Sequence, residues 1–502
     1  MATPSGILTS SPVTTALFIG GKERQTAEKM AISDPAKPGV VVGYAASATE
    51  QDVRDAIVAA KAAYPAWAAL TPQQRAEKMM AALKGIDGAN RDTDAAILSQ
   101  ENGKIRFEAW VDSLVLEIRW KLALSHADEV DMAKVLPPVP GAIPVQTTVS
   151  YQPLGVVSII VPFNWPIAIL GASLPHALLA GNTVIVKPPV TAPLATTRVV
   201  QRLADQLPPG VLNVVTGRDA NMSALIRNPD IAKVCFTGSV GGGKKIMELA
   251  SASLTRVTLE LGGNDAAIIL KDAILDDTHL DRLFAAVYDT TGQICMNAKR
   301  VYVHKSRIDE VVSGLSTRLQ KVKLGYGLDQ GTTMGPLHSP AQKKFVDELI
   351  QEARDSGAKV LEFGELPGGD MKGGNFVRPA IVVNPDPTLR VVTEEQFGPV
   401  IPIIPFEAEQ EAIEAANDSW AGLAGSVWTA NPETANRVGG QMVCGYVWVN
   451  DHGATRLDLR APFGGMKASG IGREQGIEGI RAFQDTRSIA HLDAATLATM
   501  HH

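Results

Sequence analysis

The sequence predicts an α/β protein with two domains, each built around a parallel sheet. At about 150 residues per domain, a chain of 502 residues holds two to four packed units. In the middle of the chain, short strand-like runs alternate with longer apolar or amphipathic segments, and the alternation returns around residues 340–363. Such alternation is typical of βαβ units, which bind ligands at the carboxyl ends of their strands.

Three helices are predicted from their first residues. Thr49 stands before apolar residues whose spacing forms one helical face, namely Val53, Ala56, Ile57 and Ala60. Two further helices begin with an N-cap residue followed by proline, at Thr71-Pro72 and at Ser339-Pro340. Gly357 is placed to end the last of these helices.

Strands are predicted at short runs rich in β-branched and apolar residues. In the first domain these runs are VVSIIV at 156–161, TVIVK at 183–187, LNVVT at 212–216, KVCFT at 233–237 and VTLEL at 257–261. A polar-capped segment at 221–230 precedes the fourth run. The run at 359–363 follows the helix that begins at Ser339 and belongs to the second domain.

Composition narrows the classes of function. The 47 basic and 53 acidic residues give a net charge of −6, which gives no support to a nucleic-acid or membrane partner. Residues 135–186 carry no charged side chain, but prolines and polar residues interrupt them, so we expect buried core there. Three cysteines cannot form a disulfide framework and favour a reducing, cytoplasmic compartment. The nine histidines show no metal-binding spacing, so we expect no metal.

The sharpest local feature is the segment GQICMN at 292–297, which follows a helical pattern. A cysteine just after a glycine break is exposed to ligand, and its thiolate is a strong nucleophile. A lone cysteine is more often a small buried hydrophobe, an interpretation that suits Cys235 and Cys444. Cys295 differs from Cys235 and Cys444 because residues elsewhere in the chain, Glu260 and Asn164 among them, suit chemistry at a cysteine.

Two polar residues stand beside apolar strands. Glu260 lies in TLELGGND and is either a general base with a raised pKa or an ion-paired structural acid. Asn164 lies in PFNWP at the end of a strand, where its amide either donates to an oxyanion or caps a turn.

The run FTGSVGGG at 236–243 joins a strand to a helical start. Backbone N–H groups at such a junction suit a phosphate, although these glycines do not follow the dinucleotide fingerprint G-x-G-x-x-G. Lys187, which ends the strand TVIVK, is either a cofactor contact or a solvated strand end.

Taken in order, these segments resemble the aldehyde dehydrogenase superfamily over about residues 16–490. The motifs that carry the resemblance are PFNWP, VKPPVTAP, GVLNVVTG, FTGSVGGG, LELGG, GQICMN, EEQFGPV, GLAGSVWT, VWVN and PFGGMKASGIGRE. The resemblance implies a Rossmann-like NAD(P)-binding domain at 1–123 and 146–258, a catalytic domain at 259–468, and a small β oligomerisation arm at 124–145 and 484–502. It also implies a homodimer or homotetramer.

The resemblance further implies an aldehyde-to-acid oxidation with NAD(P)+. Cys295 attacks the aldehyde to give a thiohemiacetal, whose oxyanion Asn164 holds. Hydride transfer leaves a thioester, and Glu260 activates the water that releases the acid. The cofactor contacts expected on the same basis are Lys187 for the adenosine ribose, Ser239 with Gly238 and Gly243 for the pyrophosphate, Glu395 for the nicotinamide ribose, and Phe397 near the ring.

The chain departs from the family pattern at two positions. Many NAD-preferring members have a glutamate where this chain has Val190, so we expect NADP to be accepted. Many members also have a lysine that pairs with the acid matching Glu474, where this chain has Ser173, which leaves the proton exit route open.

The residues expected to face the tail of the aldehyde predict a bulky, largely apolar or aromatic substrate. They are Trp165, Ile169, Ala172, Ile294, Met296 and Phe463. Ala172 stands where some members for small aldehydes have a large aromatic side chain, so it leaves room for a ring.

Four alternatives stay open. A semialdehyde dehydrogenase would use Arg456, Arg460 or His452 to hold a substrate carboxylate. A CoA-acylating dehydrogenase would generally lack the glutamate at 260. A cysteine acyl hydrolase would need a histidine base, and a structural protein would not need Cys295, Glu260 and Asn164 together.

Overall fold

The first large sheet has eight strands and a parallel centre, as predicted. The computed structural model describes residues 12–500. The parallel strands lie in the order Arg256–Glu260, Ile231–Thr237, Val156–Ile160, Thr183–Lys187 and Leu212–Val214. Antiparallel strands flank them, Gly470–Ile471 at one edge and Leu17–Ile19 followed by Lys22–Arg24 at the other. The carboxyl ends of the five parallel strands therefore share one edge of the sheet.

Helices connect these parallel strands and build the layers around them. The connecting helices are Pro166–Leu179, Leu194–Asp205, Ala224–Arg227 and Val240–Ala250. Four earlier helices are Glu50–Ala68, Pro72–Ala82, Gly88–Asn102 and Arg106–Leu124. Gly171 lets the helix Pro166–Leu179 pack closely on the helix Arg106–Leu124, because a Cβ there would lie 3.1 Å from the Cα of Leu116. This contact places the helix Arg106–Leu124 beside the carboxyl ends of the first sheet.

The helix starts follow the predicted caps. Thr49 and Thr71 each form a capping box with the side chain three residues later. Ser339 accepts a hydrogen bond from the backbone N–H of Gln342 at the start of the helix Pro340–Asp355. Gly357 follows that helix with a left-handed backbone, φ 85°.

The second large sheet has seven strands and is parallel except at one edge. Its order is Lys359–Glu362, Ala380–Val383, Val400–Phe406, Ala298–His304, Asp265–Ile269, Ala424–Trp428 and Tyr446–Val449, with only the first strand antiparallel. Its helices are Asp277–Tyr288, Ile308–Leu319, Pro340–Asp355, Arg390–Thr393, Glu409–Asn417 and Pro432–Gly439. Two short helices, Gly476–Arg481 and Ala494–Thr499, follow near the end of the chain.

A third, antiparallel sheet contains the segments predicted to form the arm. Its strands are Gln484–Leu492, Val145–Pro153 and Lys134–Leu136. We expected the first segment of the arm to end at 145, but its long strand begins there and continues to Pro153. Two smaller sheets pair Val13–Thr15 with Val41–Ala46 and Lys29–Ser33, and Ala421–Gly422 with Met466–Lys467.

The charge-free stretch 135–186 is core only in part. From Val156 onward it forms two buried strands of the first sheet and the almost wholly buried helix Pro166–Leu179. Its first part forms arm strands, where Val135 and Leu136 are exposed, so the expectation of continuous buried core was wrong there. No helix in the range 12–500 has both the length and the apolar character needed to cross a membrane.

Candidate active site

Three predicted chemical groups lie around one cavity. Asn164 follows the strand that ends at Ile160, and Glu260 is the last residue of its own strand. Cys295 lies in the loop before the strand Ala298–His304 of the second sheet. All three side chains line a cavity of about 260 Å³. The edge of the first sheet and the loop of the second thus bring together residues that are far apart in the sequence.

The loop before Cys295 has an unusual backbone. Thr290, Thr291 and Gly292 are all left-handed, with φ of 54°, 57° and 73°. A Cβ on Gly292 would lie 2.2 Å from a carbonyl oxygen of the EEQFGPV segment, so only glycine fits there. The Lys299 ammonium donates to two carbonyl oxygens of the loop, at 3.1 Å and 2.8 Å. A buried cation therefore fixes the path of the chain on which the cysteine sits.

The Cys295 thiol is partly buried among carboxylates. Burial first, then the charges of Glu395 and Asp265, raise the pKa of Cys295 to about 12, while Lys299 opposes that shift. The group is therefore a thiol at neutral pH before substrate and cofactor bind. Nucleophilic attack by Cys295 needs the thiolate, so the bound substrate and cofactor, or the ammonium of Lys299, must favour loss of the thiol proton.

Asn164 is held against the cysteine loop. Its side chain is buried, and Nδ2 donates to the carbonyl oxygen of Gln293 at 3.0 Å. The amide of Asn102 fixes the backbone of the motif by donating to the Asn164 carbonyl oxygen at 3.2 Å. A side-chain amide has two N–H donors, so one remains for an oxyanion beside Cys295.

Glu260 is a buried carboxyl group without a hydrogen-bond partner among the described residues. Burial raises the pKa of Glu260 well above its usual value, and the charge of Glu474 adds to the shift. Glu474 itself accepts a hydrogen bond from the Ser173 hydroxyl. A Cβ on Gly464 would lie 2.9 Å from Glu260 Oε1, so this glycine leaves the space that the carboxyl group occupies. Such a group accepts a proton readily when water reaches it.

The FTGSVGGG turn forms an open helix N-terminus. The Ser239 hydroxyl caps the helix Val240–Ala250 by accepting from Gly242 N at 3.1 Å. A Cβ on Gly241 would meet no atom within 4 Å, whereas one on Gly243 would lie 2.6 Å from Leu261. The first turn is thus open to a ligand at Gly241, while Gly243 packs against Leu261. This geometry fits a phosphate group.

Glu395 and Phe397 belong to the EEQFGPV segment, which packs against the cysteine loop at Gly292. Glu395 accepts a hydrogen bond from Gly263 N at 3.2 Å, and burial raises the pKa of Glu395 to about 7. The first glycine of LELGG is needed for this approach, because a Cβ on Gly262 would lie 2.2 Å from Glu395 Oε2. The Phe397 ring meets that of Phe163 edge-on, with the centroids 6.0 Å apart.

Lys187 has a partner that the sequence argument missed. Its Nζ lies 2.6 Å from Oδ1 of Asp219, whose side chain is exposed. The expectation that NADP is accepted rested on the neutral Val190 and on Lys187, and Asp219 adds a carboxylate beside that lysine. Asp219 comes from the segment after the strand Leu212–Val214, which neighbours the strand that ends at Lys187. The adjacency of the two strand ends explains the contact.

All six residues predicted to face the tail of the aldehyde line the cavity. They are Trp165, Ile169, Ala172, Ile294, Met296 and Phe463. The helix Arg106–Leu124 supplies further wall residues that sequence reasoning missed, namely Val111, Leu114, Val115, Ile118 and Arg119. Leu457, Leu459 and Gln475 were missed as well. The wall is largely apolar around the three chemical groups.

The side chains proposed to hold a substrate carboxylate lie elsewhere. His452 is buried, with Nδ1 2.8 Å from the Ser426 hydroxyl and Nε2 3.1 Å from the Met296 carbonyl oxygen. Arg460 is exposed and pairs with Asp458. Neither of them lines the cavity, and Arg456 does not line it either. The structure therefore removes the residue basis of the semialdehyde alternative.

Comparison with known proteins gives a consistent result. The model of the aldehyde dehydrogenase family matches residues 22–489. A phenylacetaldehyde dehydrogenase of Pseudomonas fluorescens is 34% identical over 453 residues, covering 88% of each chain. The crystal structure of a betaine aldehyde dehydrogenase of Staphylococcus aureus in complex with NAD+ has a TM-score of 0.88 and 31% identity, covering 96% of this chain and 95% of that chain. An Escherichia coli structure described as an NADP-dependent enzyme has a TM-score of 0.90 and 31% identity, covering 95% and 98%.

Proposed function

Since this chain belongs to the aldehyde dehydrogenase family, we propose that it oxidises bulky, largely apolar aldehydes, aromatic ones included, to carboxylic acids. As a member of that family it is an oxidoreductase that uses NAD(P)+. The observation that carries the choice of substrate is the cavity, whose wall beside Cys295 is lined mainly by apolar side chains. The name of the phenylacetaldehyde dehydrogenase relative supports the same class.

The first step is nucleophilic addition at Cys295. The Cys295 thiol first passes its proton to water. Sγ then bonds to the aldehyde carbon, and the carbonyl oxygen becomes an oxyanion that the free N–H of the Asn164 amide stabilises. Lys299 favours the thiolate, because its ammonium opposes the surrounding carboxylates. When NAD(P)+ is bound, it supplies the acceptor for the hydride that leaves the carbonyl carbon, and a thioester remains on the cysteine.

The second step is hydrolysis of that thioester. Glu260 removes a proton from water, and the resulting hydroxyl group bonds to the thioester carbon while the bond to Sγ breaks. A buried carboxyl group with a raised pKa suits this role, since its affinity for the proton is high.

The residues present fit NAD(P)+ at the edge of the first sheet. The first turn after Ser239, open at Gly241, would hold the pyrophosphate, with Gly238 and Gly243 on either side of it. Lys187 would contact the adenosine ribose, and Glu395 the nicotinamide ribose. Phe397 would pack near the nicotinamide ring.

The remaining alternatives are weaker. A CoA-acylating enzyme has no use for an activated water, whereas Glu260 shares the cavity with Cys295. A cysteine hydrolase needs a histidine base, and no histidine is among the described residues that line the cavity. The residues expected to hold the carboxylate of a semialdehyde, Arg456, Arg460 and His452, do not line the cavity, although Arg119 does.

We also propose a homodimer or homotetramer joined through the arm. Several apolar side chains of the arm are exposed in the single chain, namely Val135, Leu136, Val139, Ile143, Ile489 and Leu492. Members of this family are typically oligomeric. The division into an NAD(P)-binding domain, a catalytic domain and the arm is part of the same proposal, and the cytoplasmic location stays a prediction.

A substrate panel tests the proposed function. Benzaldehyde, hexanal, acetaldehyde and succinic semialdehyde are compared by NADH or NADPH formation, with and without CoA. We expect benzaldehyde and hexanal to have the highest kcat/KM and CoA to have no effect. A preference for acetaldehyde would refute the roomy cavity, and a preference of about 100-fold or more for succinic semialdehyde, roughly 2.7 kcal/mol, would replace the apolar substrate by an acidic one.

A further inference from the structure

The largely apolar cavity is also lined by polar side chains that the mechanism does not use, and Glu474 is one of them. Two others have unfilled hydrogen-bonding capacity: Arg119, from the helix Arg106–Leu124, and Gln475, just before the helix Gly476–Arg481. The two helices contact each other and the helix Pro166–Leu179. Both side chains line the same cavity as Cys295 and Glu260.

Arg119 is a buried cation with little local compensation. Its residue is only 8% exposed, Nη1 donates to the carbonyl oxygen of Ala168 at 2.6 Å, and Nε has no partner among the described residues. The carboxylates that act on it electrostatically are those of Glu474 and Asp112. A buried guanidinium with open donors is costly unless a ligand completes its hydrogen bonds.

Both of those carboxylates are already engaged. Asp112 accepts from Lys104 Nζ at 2.9 Å and from Ala168 N at 2.6 Å. Glu474 accepts from the Ser173 hydroxyl. Neither forms a direct ion pair with Arg119 in the described part of the chain. The guanidinium of Arg119 therefore has no carboxylate partner among the described residues, although it lines the cavity.

Gln475 is the second unsatisfied group. It is 1% exposed, and neither its side-chain oxygen nor its side-chain nitrogen has a partner among residues 12–500. Its backbone is left-handed, φ 67°, a conformation that is unusual for a residue with a side chain. An amide buried in this way needs a ligand or an ordered water to supply the missing hydrogen bonds.

We propose that Arg119 and Gln475 bind an oxygen substituent on the body of the aldehyde, so that the preferred substrate is an oxygenated aromatic aldehyde. The substituent is a hydrogen-bond acceptor, either a neutral hydroxyl or an anionic phenolate or carboxylate. The apolar wall holds the ring, and the two donors distinguish it from a plain hydrocarbon of the same size. This inference rests on the proposed function and narrows its substrate class.

The test compares matched substrates in the complete enzyme. Hydroxybenzaldehydes, carboxybenzaldehydes and methylbenzaldehydes are each assayed with the substituent at ring positions 2, 3 and 4. A methyl group has nearly the size of a hydroxyl group but accepts no hydrogen bond. We expect at least one oxygenated isomer to exceed its methyl counterpart by about 10- to 100-fold in kcat/KM, the range of hydrogen bonds to a charged group. The hydroxy and carboxy arms distinguish a neutral from an anionic acceptor.

Variants then assign the preference to these residues. Arg119→Met and Gln475→Leu should each reduce the ratio of oxygenated to methyl substrate to within about 3-fold, and Arg119→Lys should retain part of it. Lys121→Met is the matched control, because Lys121 lies on the same helix but is exposed and pairs with Glu117. Binding of the product acids, measured by quenching of tryptophan fluorescence, should change in the same way without turnover.

The possible outcomes are distinct. The inference is wrong if the wild type prefers methyl substrates, or if Arg119→Met lowers kcat/KM equally for oxygenated and methyl substrates. Arg119 and Gln475 would then stabilise the fold or bind ordered water. If Arg119→Met does not fold, the Gln475→Leu ratio and the product-binding comparison decide. If the wild type oxidises no aldehyde at all, the proposed function itself fails.

Discussion

Filling the cavity at Ala172 should exclude aromatic aldehydes and spare small ones. Ala172→Trp adds an indole ring to the wall of a cavity of about 260 Å³. Benzene fills a cavity of about 150 Å³, and an indole ring is larger than benzene. The cavity of the variant therefore keeps no more than about 110 Å³ for the substrate. Overpacking of this kind costs about 1–3 kcal/mol, which lowers kcat/KM for benzaldehyde by roughly 5- to 150-fold.

The assay follows NADH formation from benzaldehyde and from acetaldehyde with the same enzyme preparations. Acetaldehyde should change by less than about 3-fold, and Ala172→Leu should give an intermediate loss for benzaldehyde. Ala66→Trp, at an exposed position of the helix Glu50–Ala68, controls for the added ring. An equal fall for both aldehydes, with an unchanged melting temperature, would show that Ala172 does not border the substrate.

Three further predictions concern chemistry and cofactor. Cys295→Ala should abolish turnover while the melting temperature stays within a few degrees of wild type; residual turnover would refute the assigned nucleophile. Asp219→Asn should raise NADP relative to NAD in kcat/KM and in cofactor binding by fluorescence, because it removes a negative charge beside Lys187; an unchanged ratio would show that Asp219 does not face the ribose. Thioester hydrolysis in single-turnover experiments should accelerate as pH rises, because burial raises the pKa of Glu260 and its proton must leave before it accepts one from water; a rate independent of pH would contradict the general base.

The sequence predicted those features that depend on local pattern. The strands at 156–161 and 183–187 and the caps at Thr49 and Thr71 follow from periodicity and from residue types at helix starts. Asn164, Glu260 and Cys295 were predicted as site residues because each of them stands at a strand end or a glycine break. These signals lie within about ten residues, where local stereochemistry decides the structure.

The features that the sequence missed depend on contacts between distant segments. Arg119 lines the cavity from a helix that packs closely on Gly171, and nothing in the local sequence of either helix indicates that contact. Asp219 meets Lys187 because two parallel strands end side by side. The apolar arm residues near Val135 were assigned to buried core because the stretch 135–186 carries no charged side chain, and composition does not reveal which side of a strand is exposed.

Pre-steady-state NADH formation by Glu260→Gln tests the central claim, a cysteine thioester that Glu260 hydrolyses, most directly. Mixing this variant with NAD+ and benzaldehyde should give a burst of about one NADH per active site, because hydride transfer precedes the step that needs the base. Steady-state turnover should then collapse, whereas Glu310→Gln, at an exposed ion pair with Arg307, should keep the wild-type rate. A Glu260→Gln enzyme with no burst, or with normal steady-state turnover, would contradict the assignment.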